Sequence, residues 1–125
     1  MTGVTLDTGA LIAIERGDRR LQALLDEAAA SGAAIAVPAG VVAQAWRGAG
    51  RQARLARFLG LPTVTAVALD EPEARAAGSL CGLAGTADVV DASVVVCARA
   101  RGHAVMTADE DDLRALDAQL RLVLI

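Results

Sequence analysis

An α/β fold with a mainly parallel sheet is predicted by three features of this 125-residue chain. Short apolar or β-branched runs alternate with longer stretches of helical periodicity, the pattern of strand–helix–strand units. Asp, Ser, Pro and Gly fall at the joints, where helices start and stop. Apolar residues make up 54% of the sequence and charged residues 22%, enough for a buried core and too apolar for a disordered chain. Crossovers in such a sheet are right-handed, and ligands bind beyond the carboxyl ends of the strands. The length fits one domain, residues 1–125.

Residues 4–6 read as a strand closing on Asp7, followed by a helix over 8–15 that Arg16-Gly17 stops. Asp18 is placed to cap the next helix. Its Leu21, Leu24, Leu25 and Ala28 recur at i, i+3, i+4 and i+7 as one apolar stripe, which Ser31-Gly32 ends. Residues 34–37 form a second strand. Pro38 opens a helix in its first turn, running to about Arg47, with Gly48 and Gly50 as breakers. The helix resumes over 51–59, with Leu55, Phe58 and Leu59 on one side and Arg51, Arg54 and Arg57 on another. Residues 63–67 are a third strand. Asp70 or Glu71 with Pro72 opens a helix over 73–83, and Gly85-Thr86 turns the chain. The apolar centre of a helix over 88–101 predicts deep burial, and Gly102 closes it. A strand at 104–106, a short helix at 109–117 and a last strand at 122–124 complete the chain. Internal repeats and linkers are not evident.

Missing residue types narrow the chemistry. All twelve basic residues are Arg, which excludes Schiff-base chemistry, a phosphate-loop lysine and a lysine base. His103 stands alone, so a multi-histidine zinc site is excluded. Trp46 and Phe58 are the sole aromatics, too few for a stacked-base surface. Cys81 and Cys97, sixteen apart in apolar helical stretches, read as reduced core residues of a cytoplasmic protein. Neither a signal peptide nor a membrane span is read. A net charge of −3 predicts no general affinity for polyanions. Residues 28–69 nevertheless hold four Arg and no acid, which predicts a basic face on an acidic chain.

Chemistry is expected from carboxylates at strand ends. Asp7 follows the first strand and Asp109 the fourth. Asp88 and Asp91, at i and i+3, share a face at the start of the buried helix. No other charge follows Asp91 until Arg99, so its side chain is expected to point inward. Two carboxylates about 4 Å apart repel by roughly 4 kcal/mol at a realistic effective dielectric. Convergence of Asp7, Asp91 and Asp109 therefore calls for a cation, and neither a Lys nor an adjacent Arg supplies one. Oxygen-only donors suit Mg²⁺ or Mn²⁺, which activate water and stabilise a phosphoryl transition state. That is the chemistry of a phosphodiesterase. The structural alternatives are helix N-caps at Asp7 and Asp88, and a solvated first turn at Asp111 and Asp112.

The joint pattern is a strand closing on Asp7-Thr8 with Leu11-Ile12-Ala13 behind it, Asp91-Ala92 in the buried helix, and Val105-Met106-Thr107-Ala108-Asp109 at a strand end. In order, spacing and length it resembles the PIN domain family, and within it a VapC-type toxin of a bacterial toxin–antitoxin pair. The resemblance implies a three-layer α/β/α fold, usually a homodimer. It also implies a Mg²⁺- or Mn²⁺-dependent endoribonuclease, inhibited by a cognate antitoxin that places a segment in or beside the acidic pocket. By motif, Asp7, Asp91 and Asp109 correspond to the catalytic, metal-holding acids. Asp88 is a further ligand, Thr107 supports Asp109, and Thr8 and Asp112 are supporting groups. One departure stands out. The family commonly has a Glu on the helix after the second strand, and the nearest match here is Gln44, which offers a carbonyl oxygen but no charge.

Arg47, Arg51 and Arg54 are expected to hold RNA phosphates beside the metal or to bind the antitoxin, against the alternative of a solvated helix face. Trp46 reads as core or interface. Two competing functions remain open. Gln44 permits a catalytically weak module that only binds RNA or protein. Asp7-Thr8-Gly9 also matches the signature of aspartic proteases, whose all-β fold conflicts with the helical segments. Aspartyl-phosphate enzymes need a Lys that this chain lacks.

Overall fold

The computed structural model describes residues 3–48 and 50–125, with strands β1 (Gly3–Leu6), β2 (Ala34–Pro38), β3 (Val64–Val67), β4 (Ala104–Thr107) and β5 (Leu122–Leu124). All pair in parallel, in the order β3-β2-β1-β4-β5. The chain thus starts in the middle of the sheet, builds outward through β2 and β3, then returns to the other side of β1 with β4 and β5. The crevice between β1 and β4 is the switch point at which open parallel sheets bind ligands. Leu6 is in register with Met106, so the next residues, Asp7 and Thr107, stand side by side at the carboxyl end of the sheet.

Seven α-helices lie among the described residues: α1 (Thr8–Glu15), α2 (Arg19–Ala30), α3 (Ala39–Ala45), α4 (Ala53–Leu59), α5 (Glu71–Ala84), α6 (Val89–Arg101) and α7 (Glu110–Leu116). Helices α2 and α4 pack on α1, and these three meet β2, β3 and β4. Helix α6 crosses β1, β2 and β4, with α5 and α7 against it, so the sheet is the middle of three layers. Helix α3 leaves the carboxyl end of β2 and touches both α1 and α6.

The apolar run of α6 explains its depth. Val94, Val95 and Val105 are fully buried on the sheet face that α6 covers, and Val4 and Leu6 on the opposite face, each contributing about 1.5–3 kcal/mol relative to exposure. Asp7, Asp18, Asp70 and Asp88 cap α1, α2, α5 and α6, each accepting a backbone N–H three residues on at 2.9–3.0 Å. At the amino end of the sheet, Thr5 Oγ1 lies 3.1 Å from His103 Nδ1 and 3.8 Å from Cys97 Sγ. Burial holds the His103 imidazole below, and the Cys97 thiol above, their usual values. Both cysteines are free and buried. No single helix among the described residues is long and apolar enough to cross a membrane.

The main departure from expectation lies between α3 and α4. Helix α3 stops at Ala45 rather than near Arg47, and residues 51–59 divide into a 3₁₀ turn (Gly50–Gln52) and α4. The cause is the buried Gln52. Its Oε1 accepts the N–H groups of Arg47 (2.8 Å) and Gly48 (3.0 Å), and its Nε2 donates to Glu15 Oε1 (2.6 Å) and Ala45 O (2.8 Å). Those bonds satisfy the amide and draw the chain out of the helix. Pro38 is the last residue of β2 and the cap of α3, not its first turn, because its ψ of 141° is extended.

Candidate functional site

Asp7 occupies the centre of the switch point. It is 5% exposed, and both carboxylate oxygens are engaged: Oδ1 accepts from Ala10 N–H at 2.9 Å, and Oδ2 accepts from the Thr107 hydroxyl. Thr107 Oγ1 itself accepts Asp109 N–H at 2.8 Å, which directs its proton to Asp7. One buried hydroxyl thus links the ends of β1 and β4. Burial raises the Asp7 carboxyl above its ordinary value; the Thr107 and Ala10 bonds oppose this, and the charge of Asp109 adds to it.

Four other acids stand at two helix N-termini. Asp88 caps α6 and Asp91 lies in its first turn; Asp109 stands at the cap of α7 and Asp112 in its first turn. Burial first, then the charge and carboxyl contact of Asp88, push half-buried Asp91 up to about 7, with Asp112 and Asp109 adding repulsion. Exposed Asp112 is raised chiefly by its hydrogen bond to Asp109, then by that residue's charge. The charge of Asp109 thus acts on Asp7, Asp91 and Asp112 alike. Asp88, Asp91 and Asp112 line one cavity of about 250 Å³ with Thr86 at its edge. Asp7 and Asp109 do not line it.

The two acid pairs sit on a recurring hexapeptide, Thr-Ala-Asp-x-x-Asp, at residues 86–91 and 107–112. In each, the Thr hydroxyl accepts the N–H of the Asp two residues on, at 3.2 Å for Asp88 and 2.8 Å for Asp109. The recurrence is too short to be a structural repeat, but it adds Thr86 to the site. The copies differ in one respect. Asp88 spends Oδ1 on Asp91 N–H, whereas Asp109 makes no side-chain cap bond.

Among the described residues, no Arg forms an ion pair with Asp7, Asp88, Asp91, Asp109 or Asp112. The donor set is oxygen-only, and burial together with the charge of neighbouring acids raises the proton affinity of Asp7 and Asp91, a repulsion that a hard divalent cation relieves. No three of the described His, Cys, Asp and Glu side chains are gathered tightly enough to enclose an ion. Asp88, Asp109 and Asp112 are exposed, so no packing fixes their carboxylates at these separations. By donor chemistry the site fits Mg²⁺ or Mn²⁺, without a preformed cage.

The Thr8 hydroxyl donates to Gln44 Oε1 at 2.5 Å, tying α3 to α1 beside Asp7. The position where an acid was expected therefore holds a neutral amide whose carbonyl is already occupied. Arg47, Arg51 and Arg54 lie away from the acids and line a separate hollow with Arg16. Arg57 lines another, with Phe58 and Leu61. Trp46 is 40% exposed and is not a core residue. The protease alternative falls with the fold: Asp7-Thr8-Gly9 leads from a parallel strand into α1.

A search among curated proteins finds no match. Solved structures do match. A VapBC2 complex from Rickettsia felis, bound to a DNA fragment from their promoter, superposes with a TM-score of 0.73 at 17% identity, over 98% of either chain. A toxin–antitoxin complex from Klebsiella pneumoniae gives 0.73 at 18% identity, over 97% of this chain and 96% of the other. FitAcB from Neisseria gonorrhoeae gives 0.64 at 19%, over 95% of each. At such identities the likeness is one of fold. The sequence itself matches the family model of the PIN domain over residues 4–119, from the first residues of β1 to beyond α7. With its acids placed around the β1–β4 crevice, the chain belongs to the PIN domain family.

Proposed function

We propose that this PIN-domain chain is a Mg²⁺- or Mn²⁺-dependent endoribonuclease, the toxin of a toxin–antitoxin pair. The observation that carries the reading is the junction of Asp7 and Asp109 through Thr107 at the switch point, with no cation of the protein beside them. Asp7, Asp91 and Asp109 would hold the ion, with Asp88, which also caps α6, as a further member. When bound, such an ion lowers the pKa of water and offsets charge on phosphoryl oxygens. The chain's own part is positional. Thr107 keeps Asp7 a hydrogen-bond acceptor, and the bond between Thr8 and Gln44 fixes the floor beside it.

The toxin half of the reading draws on the solved neighbours, which are toxins held with antitoxins. An antitoxin partner, a homodimer and a cytoplasmic setting belong to the same proposal. Exposed Leu83 and Val89 flank the turn between α5 and α6 and offer apolar surface to a protein partner. A second reading is favoured by Gln44 and by the lack of a preformed cage: a module that binds RNA without cutting it.

Purified protein with Mn²⁺ is expected to cut single-stranded RNA, and Asp7→Asn to abolish cleavage while keeping its circular dichroism spectrum. RNA bound but uncut across all Mn²⁺ concentrations would establish the binding module instead.

A further inference from the structure

We infer that the arginine-lined hollow between the carboxyl ends of α1 and α3 and the start of α4 is a phosphate subsite for the backbone of single-stranded RNA. This rests on the nuclease reading above, and names where its substrate is held. The hollow has a volume of about 540 Å³ and is lined by Glu15, Arg16, Arg47, Arg51, Gln52 and Arg54. Its one acid, Glu15, accepts a hydrogen bond from Gln52. Among the described residues none of the four arginines forms an ion pair. Four arginines thus line one hollow against a single carboxylate.

Two of them are held in place. Arg47 Nη1 donates to Ala43 O at 3.2 Å and to Trp46 O at 2.7 Å. The Arg54 guanidinium packs over Gly17, where a Cβ would stand 2.9 Å from its Cζ and where φ is +77°. Pre-ordered guanidinium forks match phosphate oxygens and lose less entropy on binding. Among the described residues no apolar side chain lines the hollow, which gives a docked protein segment no anchor pocket there. That composition selects a polyanion.

Arg16 is shared with a second hollow of about 340 Å³, lined also by Gly9, Ile12, Ala13, Asp18 and Ala108. A Cβ on Gly9 would lie 3.5 Å from Asp7 Oδ1, and Ala108 immediately precedes Asp109. The route follows the length of α1, eight residues or about 12 Å. A strand cut at the carboxylates would thus lay the backbone on one side of the cut among the arginines.

The test uses full-length chains that all carry Asp7→Asn to stop cleavage, and a fluorescein-labelled, mixed-sequence, single-stranded RNA of about 12 nucleotides. Affinity is read by anisotropy as a function of salt. Each phosphate contact to a single strand contributes about −0.7 to the logarithmic salt slope. Arg51→Gln with Arg54→Gln is expected to weaken binding and reduce the slope by about 1.4. The Lys pair at the same positions keeps most of the slope, and the exposed control Arg75→Gln leaves it unchanged. Absence of RNA binding in the Asp7→Asn parent, an unchanged slope in the Gln pair, or equal loss in the Gln and Lys pairs would each overturn the subsite. Failure of the unaltered chain to cut RNA with Mn²⁺, while the Gln pair still loses affinity, would remove the nuclease reading and support the subsite.

Discussion

Thr107 shows how one side chain can hold a site together. Its hydroxyl donates to Asp7 and accepts from Asp109 N–H, with no exposure to solvent. Thr107→Val keeps the shape and removes both bonds. The variant is expected to lose about 10- to 100-fold in activity or metal affinity, as when other groups that orient metal ligands are removed. It should also lose about 1–3 kcal/mol of stability from the orphaned donor and acceptor. Chemical denaturation and RNA cleavage assays read the two losses. At the opposite end of the sheet, a Cβ on Gly3 would stand 2.5 Å from both Ala34 O and His103 Nε2. Ala34 O is backbone and cannot swing aside, so Gly3→Ala is expected to cost about 1–3 kcal/mol of overpacking, read as a lowered denaturation midpoint. Of these residue roles the sequence made some legible and others not. Asp7 and Asp109 were visible because each follows an apolar strand. Gln52 was not, because no local pattern distinguishes a buried glutamine with four bonds from an exposed one.

At the level of the element, α6 couples capping to the site. Asp88 closes the helix by accepting Asp91 N–H, and the same carboxyl raises Asp91 toward neutral pH. Asp88→Ala is expected to cost about 1 kcal/mol for the lost cap. It should also lower the proton affinity of Asp91, seen as an NMR titration of the Asp91 carboxyl shifted to lower pH. Secondary structure was largely readable because punctuation was strong: Asp caps and Gly stops bracket most helices. The twin Thr-Ala-Asp-x-x-Asp segments escaped notice because the repeat is six residues long, far below the period of a structural repeat. The loop after α3 escaped it because a tertiary hydrogen-bond set, not a local propensity, ends that helix.

Across the whole molecule, the clustered acids make stability depend on pH and on cations. Asp91 rises from an ordinary 3.8 to about 7 on folding. A carboxyl raised in this way favours the folded state when protonated, so its contribution is full below pH 3.8 and is lost as pH climbs through 7. Asp7 and Asp112 shift in the same direction. Buried His103 shifts downward, so its contribution is lost as pH falls below its ordinary 6.5. The metal-free protein is therefore expected to melt at lower temperature at pH 8 than at pH 6. Asp91→Asn should flatten that decline, and Mn²⁺ should raise the melting temperature more at pH 8 than at pH 6. A differential scanning series in EDTA and in Mn²⁺ measures both.

The parallel pairing of β1 with β4 has a further consequence for biosynthesis. Asp7 is translated 100 positions before its hydroxyl partner, so a nascent chain lacks the assembled junction until β4 has been made. At about 5–20 residues per second, that separation is a lag of several seconds between the two halves of the junction. The junction of the two strand ends is thus among the last tertiary contacts that synthesis of β1 through β4 makes possible.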